Sequence, residues 1–518
     1  MTSVNREAVL AALSTLPQIL RGPGGVAGVV HEGEVIAARA WGHADLDTRR
    51  AMTADCRLPL CSISKQFTCM TLLGALGTPE VLDHDLSELL PNFESLMPSV
   101  RELCNNQSGL RDYWALTILH GAKAEQRFPK EAAAGVFSRM KTGHFAPGTR
   151  YSYSNGNFRL IGDLLERATG RSLAALTAEH VFGPAGMMRA EYASDTRIPL
   201  DGVVGYEGSD ATGYWPAQNG VWWMGDAGIA ASLNDMLAYE RWIDATWDKE
   251  GSLYAQAAEP QTFRGGQPAS YGFGLQRISI GDCTFTGHGG ALRGYRAFRL
   301  YSREARLSVV VMLNHHGDAH GAAQNLVRRA LGVEEPRPAL TEADWDGQWL
   351  CAETGLLARI ETQRRGVAMR YGTSAETLGE SAGTLVSGQV RITRDGAGLR
   401  MRRGAENLQS ELTPVPLVTG ADASEIAGRY YSTELEAQLS IEVRGGGVHA
   451  VFEGHLGQGR PELVHSAGPD LWIISTRRSL DAPAPGDWTL QIKRDGAGRV
   501  SGARLGCWLA RGIDYIRH

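Results

Sequence analysis

The chain has 518 residues, more than one compact core accommodates, so roughly two to four domains are expected. Apolar residues make up 43% and charged residues 21%, the balance of a soluble globular protein. A formal net charge of −5 with no basic stripe excludes a general affinity for nucleic acid, and no apolar run is long enough to span a bilayer.

In the opening segment Val4, Ala8, Leu10, Ala11, Leu13 and Leu16 recur at helical spacing, with Arg6 and Glu7 among them. This predicts an amphipathic helix and not a secretory signal. Residues 25–30 and 34–41 read as two strands joined by a turn at 31–33. Helices are expected over 66–76 and 157–168, and two late strands within 298–313 with a turn near 303–305. Strands at both ends of the region 1–333, with helices between, predict one α+β or α/β domain.

Glu334-Glu335-Pro336-Arg337-Pro338 breaks that pattern. Two prolines beside charges fit neither a helix interior nor a central strand, so this is read as a linker. Beyond it, short alternating segments separated by Gly-rich turns (444–448, 494–499) predict antiparallel β structure. A weak repeat runs through this tail. Gly347-Gln348-Trp349, Glu353, Ile360-Glu361 and Gly366-Val367 recur at one constant offset as Gly428-Arg429-Tyr430, Glu434, Ile441-Glu442 and Gly447-Val448. The repeat predicts two small β-barrel-like domains, 339–418 and 419–518, meeting near 417–424. Cysteines 56, 61, 69, 104, 283, 351 and 507 are scattered and odd in number, with no C-x-x-C pair. No disulfide framework or zinc site is expected, and a reducing cytoplasm fits best.

Three short elements carry chemistry. In Ser62-Ile63-Ser64-Lys65 a hydroxyl and an ammonium share one helical face. Serine is a weak nucleophile until a base takes its proton, and lysine can be that base once burial or nearby positive charge lowers its pKa. Free N–H groups at a helix start can also hold an oxyanion. In Tyr153-Ser154-Asn155, after the turn at Pro147-Gly148, a phenol can relay a proton and an amide can orient a carbonyl. In His288-Gly289-Gly290-Ala291 the glycines allow close backbone approach, and the Ala291 N–H is a candidate second oxyanion donor. Taken singly, the first two elements are better explained by a capped helix with a solvated lysine and by an Asn-capped turn, and the third has a Gly-rich hairpin with a surface histidine as its alternative.

In this order and spacing the three together resemble the penicillin-recognising serine hydrolases, whose pattern is S-x-x-K, Y-x-N and K-T-G or H-x-G. Asn106-Gln107-Ser108-Gly109-Leu110, Gly183-Pro184-Ala185-Gly186-Met187, the segment 225–235 and Tyr271-Gly272-Phe273-Gly274 resemble further elements of that family. The resemblance implies an α+β catalytic domain of β-lactamase and DD-peptidase type. It makes Ser62 the acylated nucleophile and Lys65 with Tyr153 the acid–base pair, the first base of the two being open. Asn155 then orients substrate, His288 lines the third wall, and the Ser62 and Ala291 amides form the oxyanion hole. No cofactor and no metal are implied.

His288 stands where β-lactamases and DD-peptidases carry a lysine for the substrate carboxylate. A histidine with its ordinary pKa of about 6.5 is mostly neutral at pH 7, so that attraction is weak. His288-Gly289-Gly290 with two β domains behind it resembles the D-stereospecific aminopeptidases of this family. That implies removal of N-terminal D-residues, D-alanine above all, from small peptides, amides and esters. It further implies a homodimer, β-lactams as inhibitors, and a loop from the last domain reaching the cleft. The matching loop is Arg477-Arg478-Ser479-Leu480-Asp481-Ala482-Pro483-Ala484-Pro485-Gly486-Asp487. An aminopeptidase must bind an α-ammonium, and a carboxylate is its natural partner, so Asp481 is the candidate anchor. Two alternatives stay open: an esterase acting on small acyl esters, and a non-catalytic β-lactam or peptide sensor. His315, His316 and His320 are read as a loop after a strand and not as metal ligands. Trp222 and Trp223 are read as core or cleft wall.

Overall fold

The computed structural model describes residues 4–335, 343–418, 422–481 and 485–518. Helix α1 (Arg6–Ile19) starts where the Asn5 side chain accepts from the Ala8 amide, and it buries Val9, Leu13 and Leu16. Strands β1 (Gly24–His31) and β2 (Glu34–Asp45) pair antiparallel across a tight turn and are followed by β3 (Arg50–Ala51). The other strands of this sheet come much later: β4 (Tyr271–Gly272), β5 (Leu275–Ile280), β6 (Cys283–Leu292), β7 (Tyr295–Ser302) and β8 (Leu307–Leu313). The order is β4-β5-β6-β7-β8-β1-β2-β3, so the two chain ends of the domain meet where β1 pairs with β8.

Both faces of this sheet are covered, and the period-2 alternation shows it. Ala27, Val29, Val309 and Val311 pack under α1 and α6 (Ala319–Leu331). Val26, Val30, Val310 and Met312 face the opposite core, which includes Leu72 of α2 (Ser64–Leu76) and Leu237 of α5 (Leu233–Thr246). Gly28 is what lets α5 lie so close: a Cβ there would stand 2.8 Å from Leu237 Cδ2. Between the sheet segments the chain adds α3 (Tyr113–Leu119) and α4 (Asn155–Thr169). The domain is α+β, as the resemblance implied. His320 departs from the sequence reading: Asp318 caps α6 through the Gly321 amide, so His320 sits in the first helical turn and not in a loop.

Eight strands from Gly347–Cys351 to Leu408–Pro414 close into a barrel around Trp345, Ile360, Met369, Leu385 and Met401. A second sheet runs from Gly428–Ser432 to Ala510–Arg517 and closes through pairing of Ala437–Arg444 with Gly447–Gly454. The repeat appears as shared register: Gly347 faces Ile360, and Gly428 faces Ile441. The two glycines take φ values of 154° and 152°. Pro336, Arg337 and Pro338 of the expected linker, and residues 419–421 of the expected boundary, lie outside the described residues.

Both barrels dock on the first domain. Arg111 pairs with Glu434 and donates to the Arg511 carbonyl at 2.9 Å, while the Asp112 amide donates to Leu509 O at 3.0 Å. The first barrel touches the turn before Tyr153: Tyr151 N donates to Glu406 O at 3.2 Å, and Asn407 Nδ2 donates to Thr149 O at 2.8 Å. Among the described residues no helix is long and apolar enough to cross a membrane.

Candidate active site

Ser62 lies in a 3-10 turn (Cys61–Ile63) that runs directly into α2, with Lys65 in the first turn of that helix. Cys61, immediately before it, is held at φ 51°, a left-handed conformation unusual for a side-chain-bearing residue. Lys65 is fully buried, and its Nζ has three partners: Ser62 Oγ at 2.9 Å, Asn155 Oδ1 at 2.8 Å and the Asp226 carbonyl at 2.8 Å. Tyr153 OH donates to Ser62 Oγ at 2.9 Å. The serine hydroxyl therefore stands between an amine and a phenol brought from two distant segments.

The Tyr153 segment is placed by the Asn106–Leu110 stretch. Asn106 Oδ1 accepts from the Ser154 amide at 3.1 Å and from Asn157 Nδ2 at 2.9 Å, and Ser108 Oγ donates to Asn157 Oδ1 at 2.8 Å. Asn155 is fixed by Asp112, whose Oδ2 accepts from both the backbone amide (2.6 Å) and Nδ2 (2.9 Å) of Asn155. That bond orients the Asn155 amide with its oxygen toward Lys65. Asp112 also caps α3 through the Ala115 amide.

Burial sets the electrostatics. It pulls the Lys65 ammonium down to about 8, against the opposing pull of the Asp226, Asp112 and Asp481 carboxylates. Burial pushes the Tyr153 phenol well above its ordinary value. Asp112 is raised to about 6, again by burial, and Asp226 is raised by the same cause. The Asp226 carboxylate accepts from Tyr113 OH at 3.0 Å and Trp114 Nε1 at 3.2 Å.

Strand β6 forms the facing wall. A Cβ on Gly290 would stand 2.2 Å from Leu60 O, so only glycine lets the strand press against the turn that carries Ser62. Gly289 and Ala291 flank it on β6, with Phe298 and Arg296 opposite them on β7. His288 is buried (3% exposed), with Nε2 3.0 Å from Tyr271 OH and its ring 6.0 Å from that of Tyr153. Burial, with Lys65 nearby, drops His288 to about 3, so it is neutral at all ordinary pH. The turn after Tyr271 seats α2: Gly274, at φ 74°, packs where a Cβ would come within 2.6 Å of the Lys65 backbone.

From the loop of the second barrel, Leu480 is 1% exposed and Ser479 Oγ donates to Asp481 Oδ1 at 3.1 Å. The charge of Asp481 is felt by both Lys65 and Cys61. Arg478 pairs with Glu125 and Glu207, Arg477 faces Glu462, and Asp487 pairs with Arg359 of the first barrel. A Cβ on Gly486 would lie 3.3 Å from Gly372 O. Pro485 precedes it, and Ala482, Pro483 and Ala484 lie outside the described residues. Trp223 is buried in the core, and Trp222 stacks under the cations of Lys130 and Arg159.

Asp112, Asp226 and Tyr271 belong to this site; the sequence does not single out Asp112, and it marks Tyr271 and the segment around Asp226 only as elements of the family pattern, with no role in the site. Asp112 carries a signal, an Asp directly before an apolar helical run. Asp226 lies in the segment 225–235, but nothing local marks its role, because its carbonyl meets Lys65 only in the fold.

Residues 11–334 match the β-lactamase family, and residues 339–516 match the second domain unit of D-aminopeptidases. A D-aminopeptidase of Cereibacter sphaeroides is 56% identical over 517 residues, covering 99% of this chain and all of that one. A D-aminopeptidase of Brucella anthropi is 47% identical over 521 residues, covering 100% of this chain and 99% of that one. In fold, the octameric penicillin-binding protein homologue from Pyrococcus abyssi superposes with a TM-score of 0.51 at 17% identity, over 99% of both chains. With a Ser-Lys-Tyr cluster on a β-lactamase domain and two barrels behind it, the chain belongs to the D-aminopeptidase family.

Proposed function

We propose that this protein is a serine aminopeptidase that removes N-terminal D-residues from small peptides, amides and esters. Ser62 is its nucleophile and Asp481 its ammonium anchor. The observation that carries the reading is the coordination of Lys65 Nζ. Two of its three partners, Asn155 Oδ1 and the Asp226 carbonyl, can only accept. A neutral amine has two N–H donors and one lone pair. Satisfying both acceptors leaves the lone pair directed at Ser62 Oγ, 2.9 Å away. With Lys65 lowered to about 8 and Tyr153 raised, lysine is the better first base, while the phenol keeps its proton at neutral pH and is there to pass one on.

Lys65 takes the Ser62 proton as Oγ bonds to the substrate carbonyl carbon, and the Ser62 and Ala291 amides receive the oxyanion. Tyr153 hands a proton to the leaving nitrogen and is reprotonated by the proton that Lys65 took from Ser62, the C–N bond breaks, and the amine departs. Water then attacks the ester carbon of the acyl-enzyme, gives its proton back through the same pair, and frees Ser62. Neutral His288 offers no charge to a substrate carboxylate, whereas Asp481 offers one to an ammonium, which favours an aminopeptidase over a carboxypeptidase. The reading includes a cytoplasmic location and a homodimer. All seven cysteines are buried and none forms a disulfide, which supports a reducing compartment, and the dimer rests on the family resemblance.

The test is intact-mass analysis after mixing with D-alanine p-nitrophenyl ester. An alanyl adduct on the parent protein, missing from Ser62→Ala, supports the reading. An adduct that survives Ser62→Ala removes Ser62 as nucleophile.

A further inference from the structure

Arg293 follows β6 directly, two residues beyond Ala291. Its side chain is buried (3% exposed), and Nη2 donates to two backbone carbonyls, that of Ala124 and that of Leu480, the latter at 3.1 Å. Leu480 is the residue before Asp481. Its carbonyl is thus held from the turn that directly follows the strand carrying His288 and Gly290.

A second tie lies beside the first. Arg478 Nε is 3.1 Å from Glu125 Oε1, and its Nη2 is 3.1 Å from Glu207 Oε2. Glu125 also faces Arg293 Nη1 at 3.8 Å and Arg460 Nη2 at 3.1 Å. Glu207 is buried (8% exposed) on the strand Tyr206–Ser209 of the first domain. The loop is therefore gripped one residue and three residues ahead of Asp481, both times by the domain that holds Ser62. A rigid carboxylate binds an ammonium better than one that must first be ordered.

We propose that Arg293 is the positioning residue that sets the Asp481 carboxylate at the cleft, with Glu125, Arg478 and Glu207 as a lateral brace. The proposal rests on the reading of Asp481 as ammonium anchor. Arg293 suits the task because the two N–H groups of Nη2, fixed in the guanidinium plane, reach two carbonyls at once, an arrangement that a freely rotating lysine ammonium on a shorter, flexible stem does not reproduce.

The test is a double-mutant cycle of Arg293→Lys and Asp481→Asn. It is read as the preference for D-alanine p-nitroanilide, a free amine, over p-nitrophenyl acetate, which has none. Arg293→Lys is expected to lower that preference about tenfold, chiefly through KM for the amine. It is expected to have no further effect on the preference once Asp481 is Asn. Parallel loss on both substrates, or the same shift in the Asp481→Asn background, overturns the positioning role. If Asp481→Asn alone leaves the preference intact, the anchor reading fails first and the proposal falls with it. Arg478→Gln, at a half-exposed position, gives the same comparison if Arg293→Lys does not fold, and an unchanged preference there also counts against the brace.

Discussion

The backbone amide of Asp112 is bonded to the carbonyl of Leu509 at 3.0 Å, joining the catalytic domain to a turn of the last barrel. Asp112 is also the residue that fixes Asn155, and Asn155 in turn faces Lys65. The barrel therefore supports the site through one intermediate side chain. Tyr151, two residues before Tyr153, is tied in the same way to Glu406 of the first barrel.

Asp112→Asn tests that chain of support. The variant strips the charge from two bonds to Asn155; a charge-assisted bond is worth about 1.5–3 kcal/mol against about 0.5–1.5 for a neutral one, so a total loss of about 2–3 kcal/mol is expected to lower kcat/KM roughly thirty- to 150-fold on every substrate. It also removes a negative charge that raises Lys65, so the Lys65 pKa should fall below about 8 and the acid limb of the rate profile should move to lower pH. A pH profile of kcat/KM checks both. An acid limb that stays in place, or moves up, contradicts the electrostatic account.

The second prediction concerns the base itself. A reaction that needs neutral Lys65 is slow below its pKa, and kcat/KM should fall tenfold per pH unit beneath about 8. With p-nitrophenyl acetate the profile should reach a plateau above that point. With D-alanine p-nitroanilide it should fall again as the substrate amine, with an ordinary pKa of about 8, loses the charge that Asp481 binds. His288, already neutral above about 3, does not titrate in this range. The acid limb should keep its midpoint in His288→Gln, and a shift of that limb toward 6.5 in the parent would implicate the histidine.

A third prediction concerns stability. His120 is fully buried, 4.4 Å ring to ring from His455 of the last barrel, and both its nitrogens are buried without a hydrogen-bond partner. Burial drops it to about 3, and His455 to about 4. Both values are depressed, so above the ordinary 6.5 neither state binds a proton and stability is intact. Below 6.5 the unfolded chain takes a proton that buried His120 refuses, and stability falls with pH by about 1.4 kcal/mol per unit for that group, the solvent-exposed His455 adding less. Denaturation midpoints between pH 7 and pH 5 measure the slope, which should be shallower in His120→Gln. An unchanged slope removes His120 from the acid sensitivity.

The parts of this molecule legible in its sequence are those set by short range. Ser62 and Lys65 lie three residues apart, and any helical continuation brings them together. The alternation of Val26, Ala27, Val29 and Val30 shows a strand buried on both faces. The tail repeat shows two like barrels because duplication keeps register, Gly347 to Ile360 and Gly428 to Ile441. The roles of Asp226 and Arg293 were illegible because their contacts, to Lys65 and to Leu480, span 161 and 187 residues. His320 was misread because its run follows a strand and reads as a loop, while the Asp318 cap that starts the helix was overlooked.

The most direct test of the central claim is the initial rate of hydrolysis of D-alanine p-nitroanilide, compared with its L-enantiomer and its N-acetylated form. The account predicts rapid cleavage of the free D-amine, with slow cleavage of the L-form and the acetylated form. Equal cleavage of the acetylated compound, or cleavage of none of the three, would contradict it, the first pointing to an esterase or amidase indifferent to the amine and the second to a binding protein.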